Sequence, residues 1–475
     1  MQRILMNIPP QVQELDDITK NYTYVFLRGS GGTGKTYTVG KFIESKKINH
    51  SNYIFLGPTG KAVAVAEDKG LRGIILHRFF GIQTNDNTHD ITEYLEQKHG
   101  TMAKYYTKIR KQLINIKYIF IDEISMINNE LLEHMLVTLQ ECSMKKAKVI
   151  ISGDYHQLPP IIDNTLTEYK NVASSIEIIY DLINADAMPV VDFITRYRSE
   201  DENYNEFLHD TRLGIIQDAN SVANYLAHYF NVYTDRNGIP SDIEKKLTFL
   251  EFVNAKVKYI NDTMLEELPG AEQRVEFKVE ECKFPNDKSY ITDDIINSFQ
   301  MDKELVFKIG SKIVFRTNNH EAGYKNGDEG LITAFNGKEV SIDRFFGDEI
   351  IKMKIPRHEY TSSEKQKKSG YEVVVKQFPF SLIHSRTIHK AQGDEYQYLH
   401  LDFSFLENGL ISNTMKWQLL YTAISRVSYP KGVWIHRNSI NLLKKQFRLF
   451  SEVDHNHLSL NIGNKEIPYI KRSDD

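Results

Sequence analysis

An apolar run, Tyr24-Val25-Phe26-Leu27, leads into Gly29-Ser30-Gly31-Gly32-Thr33-Gly34-Lys35-Thr36. Placed between a buried strand and a helix, this string reads as a phosphate-binding loop. Its glycines let successive backbone N–H groups turn inward around phosphates, Lys35 reaches the β and γ oxygens, and the Thr36 hydroxyl is placed to ligate Mg²⁺. The helix opening near Lys35 adds its positive end. A glycine-rich hairpin turn would explain the glycines but not the full G-x-x-x-x-G-K-T order after a strand. The chain is therefore expected to bind ATP or another nucleoside triphosphate with Mg²⁺.

At 475 residues the chain exceeds what one core organises, so two to four domains are expected. Charged residues make up 26% and hydrophobic ones 41%, the ordinary globular range. Cys142 and Cys282 are far apart, which supports neither a disulfide framework nor zinc. Met1 to Pro10 lacks a signal-peptide core, and no apolar stretch is long enough to span a bilayer, so an intracellular protein without membrane insertion is expected. With a net charge of only −4, any nucleic acid must be held by a local basic track and backbone donors.

A second apolar run, Tyr118 to Ile121, ends in Asp122-Glu123-Ile124-Ser125-Met126. Open parallel sheets place their ligands at such strand ends. Asp122 is expected to hold Mg²⁺, and Glu123 to polarise the attacking water. An acidic pair after an apolar run otherwise marks a strand end meeting solvent; the phosphate loop upstream favours the catalytic reading. Strands ending in polar turns recur near residues 25, 55, 120 and 150, the cadence of a doubly wound sheet. In the last of these turns, Gly153-Asp154-Tyr155-His156-Gln157-Leu158-Pro159-Pro160, the neutral amide of Gln157 suits a γ-phosphate sensor.

The ordered series GSGGTGKT, GPTGKAV, Leu76-His77-Arg78-Phe79-Phe80, DEISM, GDYHQLPP, TRYRS, SRTIHKAQGDEY and YTAISRVS resembles motifs I to VI of superfamily 1 helicases over roughly residues 25–430. It is most similar to group B, the 5′→3′ DNA helicases that include RecD, phage Dda and the petite-integration-frequency (PIF) helicases. The resemblance implies an α/β protein of two RecA-like P-loop NTPase domains, with a small wedge insertion and an SH3-like β-barrel insertion. Domain 1A is expected at 1–84 and 113–180, the wedge 1B at 85–112, domain 2A at 181–269 and 378–440, and the barrel 2B at 270–377. A C-terminal helix and tail follow at 441–475. Strands of 2A are expected at Leu247 to Asn254, Phe378 to Ile383, Tyr398 to Leu401 and Gly432 to Ile435.

In such helicases ATP lies between the two RecA-like domains, which implies that Arg198 and Arg426 neutralise the transferring phosphoryl group. Tyr197 is then placed to stack on the base, Gln11 or Gln13 to read adenine, and Gly393 to border the nucleotide. Single-strand contacts are implied for Pro58, Thr59, Lys61, His77, Phe79, Thr387, His389 and Lys390: hydroxyls, amides and lysines for phosphates, rings for bases. Leu76 stands where the family often carries threonine. The polar stretch Thr84 to Gln112, with Tyr94, Tyr105 and Tyr106, reads either as a duplex-splitting wedge with an aromatic tip or as a solvated loop. Lys365-Gln366-Lys367-Lys368-Ser369-Gly370 reads as a basic loop able to touch DNA.

The expected activity is ATP-dependent, 5′→3′ translocation on single-stranded DNA with unwinding at duplex junctions, by a monomer serving replication, recombination or repair, with proteins of replication or recombination as partners. Two rivals stand beside it. A viral-type superfamily 1 RNA helicase would require the 2′-OH for stimulated hydrolysis. A nucleotide-gated single-strand-binding protein would clamp without unwinding.

Overall fold

The computed structural model describes residues 9–67, 69–82, 91–142, 147–160, 175–216, 218–235, 238–283, 302, 304–319, 321–324, 326–346, 349–361, 372–446, 449 and 451–460. Two compact units emerge: one comprises Met1–Phe230, Phe403–Lys431 and Asn438–Asp475, the other Asn231–Asp402 and Gly432–Arg437.

The first unit is built on strands β1 (Tyr24–Gly29), β2 (Tyr53–Gly57), β3 (Gly73–Ile75), β4 (Tyr118–Ile121), β5 (Lys148–Gly153) and β6 (Val190–Phe193). They form one parallel sheet in the order β3-β2-β4-β5-β1-β6. Near-continuous apolar runs such as Val25-Phe26-Leu27 and Ile119-Phe120-Ile121 are buried, as expected of strands covered by helices on both faces. Helices α1 (Pro10–Asn21) and α2 (Lys35–Ser45) supply Val12, Leu15, Val39 and Phe42 to that core. Further along come α3 (Gly60–Glu67) and α4 (Leu76–Phe80).

The expected wedge region is helical where it is described: α5 (Ile91–His99) and α6 (Met102–Leu113) form a hairpin, followed by α7 (Asn129–Glu141). Thr101 caps α6 by accepting from the Lys104 N–H. Tyr105, Ile109 and Leu113, at i, i+4 and i+8, are buried, and the Tyr105 hydroxyl meets His134 of α7 at 3.3 Å. Tyr105 is thus a packing residue, neither an aromatic tip nor part of a solvated loop. Thr84 to Asp90 lie outside the described residues, as do the basic segment Lys365 to Gly370 and the tail Lys471 to Asp475.

Helices α8 (Ile176–Asn184), α9 (Glu202–Arg212) and α10 (Ala219–Tyr229) complete the unit with the helix Asn413–Ser425. This division differs from the expected domain limits. Instead of opening domain 2A after residue 180, the chain adds β6 to the first sheet, and Phe403–Lys431 joins the first unit. The reason is local packing: helix Asn413–Ser425 lies on α9, where the Tyr204 hydroxyl donates to the Ile424 carbonyl at 2.9 Å, and Gln418 donates to the Tyr155 carbonyl at 2.9 Å.

The second unit contains a parallel sheet of β7 (Asn231–Tyr233), β8 (Thr248–Glu251), β19 (Ser385–Thr387), β20 (Leu399–Leu401) and β21 (Val433–His436), in the order β19-β8-β20-β21-β7. Into it is inserted antiparallel structure: β9 (Gln273–Glu276), β10 (Lys278–Lys283), β11 (Glu304–Phe307), β12 (Lys312–Phe315), β13 (Glu329–Phe335), β14 (Glu339–Phe346), β15 (Glu349–Pro356), β16 (His358–Thr361), β17 (Glu372–Gln377) and β18 (Phe380–Leu382). The Asn336-Gly337 turn joins β13 to β14, its Asn336 Oδ1 accepting from Lys338 and Glu339. Phe307, Ile313, Phe315, Ile342 and Phe380 share one core here. One expectation needs correction: Phe378 to Ile383 does not add a strand to the parallel sheet, because β18 pairs antiparallel with β12. Its place beside β8 is taken by β19.

Candidate nucleotide and nucleic-acid site

Strand β1 delivers the phosphate loop to the carboxyl edge of the first sheet, and Gly34 closes it with φ +87°, a left-handed turn that glycine adopts without strain. Helix α2 starts at the next residue, so its free N–H groups face the loop. Lys35 Nζ donates to the carbonyls of Gly29 at 2.7 Å and Ser30 at 2.9 Å, which holds the ammonium at the loop. Burial pushes its pKa down, while Glu123, Asp122 and Asp154 oppose that shift. Thr33 lies buried inside the loop, its hydroxyl on the Ser30 carbonyl at 2.8 Å.

Beside the loop, the Thr36 hydroxyl donates to Asp122 Oδ2 at 3.1 Å, and the Ser152 hydroxyl donates to Asp122 Oδ1 at 2.6 Å. The carboxylate is therefore fixed from helix α2 on one side and strand β5 on the other. Glu123 follows with φ +51°, a left-handed backbone that a non-glycine residue adopts only at a cost. Burial, then the charge of Asp122, raises its carboxyl pKa.

Both expected arginines reach this loop. An added Cβ on Gly31 would stand 2.9 Å from Arg198 Nη1 and 3.1 Å from Arg426 Nη2. Arg198 Nη1 also donates to the Ser425 carbonyl at 2.6 Å. Arg426, only 1% exposed, donates through Nη2 to Gln157 Oε1 at 3.0 Å and through Nε to the Thr422 carbonyl at 3.2 Å. The resemblance implied that these groups come from a second domain; here they belong to the same compact unit as Lys35. Tyr197 donates its backbone N–H to the Gly32 carbonyl at 2.7 Å and is 61% exposed.

Beneath Gln157 lies a charged cluster that motif reading left unassigned. Asp154, fully buried, receives Arg212 at 3.0 Å, His156 Nδ1 at 3.2 Å and Gln157 Nε2 at 3.4 Å. Burial opposes ionisation of Asp154, but Arg212 and His156 together hold its carboxyl well below the usual range. His156 is driven down to about 3, chiefly by burial, so the ring is neutral. The sole sequence cue was an acid two residues from a histidine inside GDYHQLPP. Ser152, too, was missed as a partner of Asp122.

The expected nucleic-acid residues divide between the units. In the first, Thr59 follows Pro58 and accepts from the Ala62 N–H at 3.2 Å, capping α3, in whose first turn Lys61 lies. His77 is half-buried and its Nδ1 makes no hydrogen bond among the described residues. Phe79 is a correction: it is 5% exposed and packs edge-on against Phe80 at 5.0 Å, so its ring face is committed to the core. Leu76, Phe79 and Phe80, at i, i+3 and i+4, form the inward stripe of α4. In the second unit, the buried Thr387 accepts from the Lys390 N–H at 3.2 Å, and Lys390 itself is exposed. His389 has its pKa pushed to about 4 by burial and tilts against Phe252 at 6.5 Å. Gly393 has φ +83° in the same turn region, with open space beside it. Gln11 lies on the first turn of α1, and Gln13 is turned toward Asp17 at 3.2 Å.

Known proteins resemble the chain over most of its length. Residues 11–220 match the family model for PIF1-like helicase. The chain is 28% identical over 432 residues to the ATP-dependent DNA helicase Pif1 of Campylobacter jejuni, covering 87% of this chain and 89% of that protein. Its fold is shared with the Pif1 helicase of Candida albicans, at TM-score 0.64 and 19% identity over 95% of this chain and 99% of the other. It is also shared with Bacteroides sp Pif1 in complex with ADP-AlF4, at TM-score 0.61 and 20% identity over 95% and 98%. The motif series, the family match over residues 11–220 and the shared α/β fold together make the chain similar to the PIF1-like helicases.

Proposed function

We propose that this chain is an ATP-dependent DNA helicase that translocates 5′→3′ on single-stranded DNA and unwinds duplexes. The observation that carries the reading is the approach of Arg198 and Arg426 to the phosphate loop at Gly31. Phosphoryl transfer needs positioned positive charge around the γ-phosphate, and two guanidiniums join Lys35 there. Glu123, with its raised pKa, is the group to orient and deprotonate the attacking water, and Gln157 senses the γ-phosphate through its amide.

Thr36 and Asp122 would hold Mg²⁺: a hydroxyl and a carboxylate already 3.1 Å apart are the hard oxygen donors that this ion takes. Bound there, the ion would supply charge neutralisation to the phosphates. Tyr197 stacks on the base. Pro58, Thr59, Lys61 and His77 in one unit and Thr387, His389 and Lys390 in the other grip the strand without reading its sequence. The same reading has the chain acting as a monomer at strand–duplex junctions inside the cell, in replication, recombination or repair.

The test is strand separation on 5′-tailed against 3′-tailed duplexes, in DNA and RNA, with wild type and Lys35→Ala. ATP-dependent opening of 5′-tailed DNA, lost in Lys35→Ala, is expected. Opening from a 3′ tail alone overturns the direction, a ribose requirement makes it an RNA helicase, and strand binding without opening makes it a clamp.

A further inference from the structure

The segment Asp454–Leu460, which no motif covers, touches both loops of the nucleotide site through one residue. Arg28 is the last residue of β1 before Gly29. Its guanidinium forks onto Asp192 at 2.6 and 2.9 Å, and its Nη1 donates to the carbonyls of Ser459 at 2.8 Å and Leu460 at 3.1 Å. The Ser459 side chain faces the other way, its Oγ 3.3 Å from His156 Nε2. Ser459 is 1% exposed.

The hydrogen-bond direction follows from the carboxylate. A neutral imidazole carries one proton, and Asp154 opposite Nδ1 can only accept, so the proton resides on Nδ1. Nε2 is then the acceptor, and the Ser459 hydroxyl donates to it. A relay results: the Ser459 hydroxyl donates to His156, His156 donates to Asp154, and Asp154 accepts in turn from the Gln157 amide. Neighbouring contacts lock the segment in place. The His455 ring meets the Arg212 carbonyl at 3.1 Å, stacks on His156 at 6.2 Å and stands edge-on to Trp417 at 4.8 Å. Gly214 leaves the space for it, since a Cβ there would lie 2.4 Å from the His455 ring.

We propose that Ser459 is a positioning residue for ATP hydrolysis: its carbonyl is tied to the strand that carries the phosphate loop and its hydroxyl to the loop that carries Gln157, so it holds the sensor amide in register with the phosphates. It touches no reacting atom and acts through His156, Asp154 and Gln157. The inference rests on the ATPase reading above.

Ser459→Ala in the full chain removes the hydroxyl and keeps the carbonyl. DNA-stimulated ATP hydrolysis is measured for wild type, Ser459→Ala, Gln157→Ala and the double variant, together with thermal melting. The expected result is a kcat lowered roughly tenfold, the scale of a small misplacement of a catalytic group, with KM for ATP within about twofold and the melting temperature held. In the Gln157→Ala background, Ser459→Ala should have no further effect, because the sensor it positions is gone. An unchanged kcat, a loss confined to KM, a melting temperature that falls along with kcat, or a loss that persists without Gln157 overturns the proposal. A wild-type chain that hydrolyses no ATP would instead overturn the proposed function.

Discussion

Arg426 and Gln157 lie 269 positions apart in sequence, yet share a hydrogen bond of 3.0 Å that sets the Gln157 amide beside an arginine at the phosphate loop. The guanidinium also rests on the Thr422 carbonyl and the Ser425 hydroxyl, so it is aimed before any nucleotide arrives. Removing an arginine that meets a transferring phosphoryl group costs on the order of 10³ in turnover. Arg426→Ala should therefore lose DNA-stimulated ATP turnover on that scale while fluorescent-nucleotide affinity changes only about threefold, on the differential-binding argument. An equal loss in both quantities would assign Arg426 to ground-state binding instead.

The loop glycines separate two kinds of damage. At Gly31 a methyl group would push only on the flexible ends of Arg198 and Arg426. At Gly32 the backbone has φ +79°, and the new Cβ would meet Arg198 Cβ at 2.6 Å. Gly31→Ala should fold normally and bind nucleotide, but hydrolyse it about tenfold or more slowly because both guanidiniums are displaced. Gly32→Ala should weaken nucleotide binding and lower the melting temperature as well. Steady-state ATPase assays and thermal melts on the pair distinguish these outcomes.

How much of this was legible depends on whether a function needs a local residue pattern. Lys35, Thr36, Asp122 and Glu123 could be read directly because phosphate and metal chemistry require those groups just after buried strands. Arg198 and Arg426 needed the resemblance, since nothing in their immediate neighbourhood distinguishes them from surface arginines. The Asp154 cluster and Ser459 were illegible for a different reason: His156 and Ser459 meet across 303 positions, and no spacing rule announces such a contact. Apolar runs misled where pairing decides the outcome. Phe378 to Ile383 has the composition of either kind of strand, and only its antiparallel partner, β12, shows which sheet it joins. Phe79 erred by chemistry alone, an aromatic ring suiting a core as well as a base.

Glu123 combines a left-handed backbone with a carboxyl whose charge is disfavoured by burial and by Asp122. Both features cost stability and both serve the proposed chemistry, by placing a basic carboxylate where water attacks. Glu123→Gly removes both. It should raise the stability of the first unit by about 1 kcal/mol through relief of the backbone strain, or roughly 2–4 °C in melting temperature, while abolishing ATP turnover. Glu123→Gln keeps the strain and should lose turnover without that gain. A glycine variant that melts no higher than the glutamine variant would show that the backbone is relaxed.

Glu251 supplies a pH signature for the second unit. It ends β8 at 2% exposure, paired to Lys256 at 2.9 Å, but Lys256 is shared with Asp402. Burial, then the Asp402 charge, raises the Glu251 pKa to about 7, with Lys256 only partly offsetting them. A raised value means that the folded state holds the proton more tightly than the unfolded chain. The associated stabilisation is full below about pH 4.5 and is lost as pH rises through about 7. Linkage puts an upper bound of ~3 kcal/mol on the loss. Glu251→Gln, which cannot ionise, should melt like wild type at pH 4.5 and several degrees higher at pH 8. Thermal melts across that range decide it: parallel curves for the two proteins throughout would mean that Lys256 fully compensates the buried charge, whereas curves that diverge between about pH 4.5 and 7 and keep a constant separation above that would establish Glu251 as the titrating group.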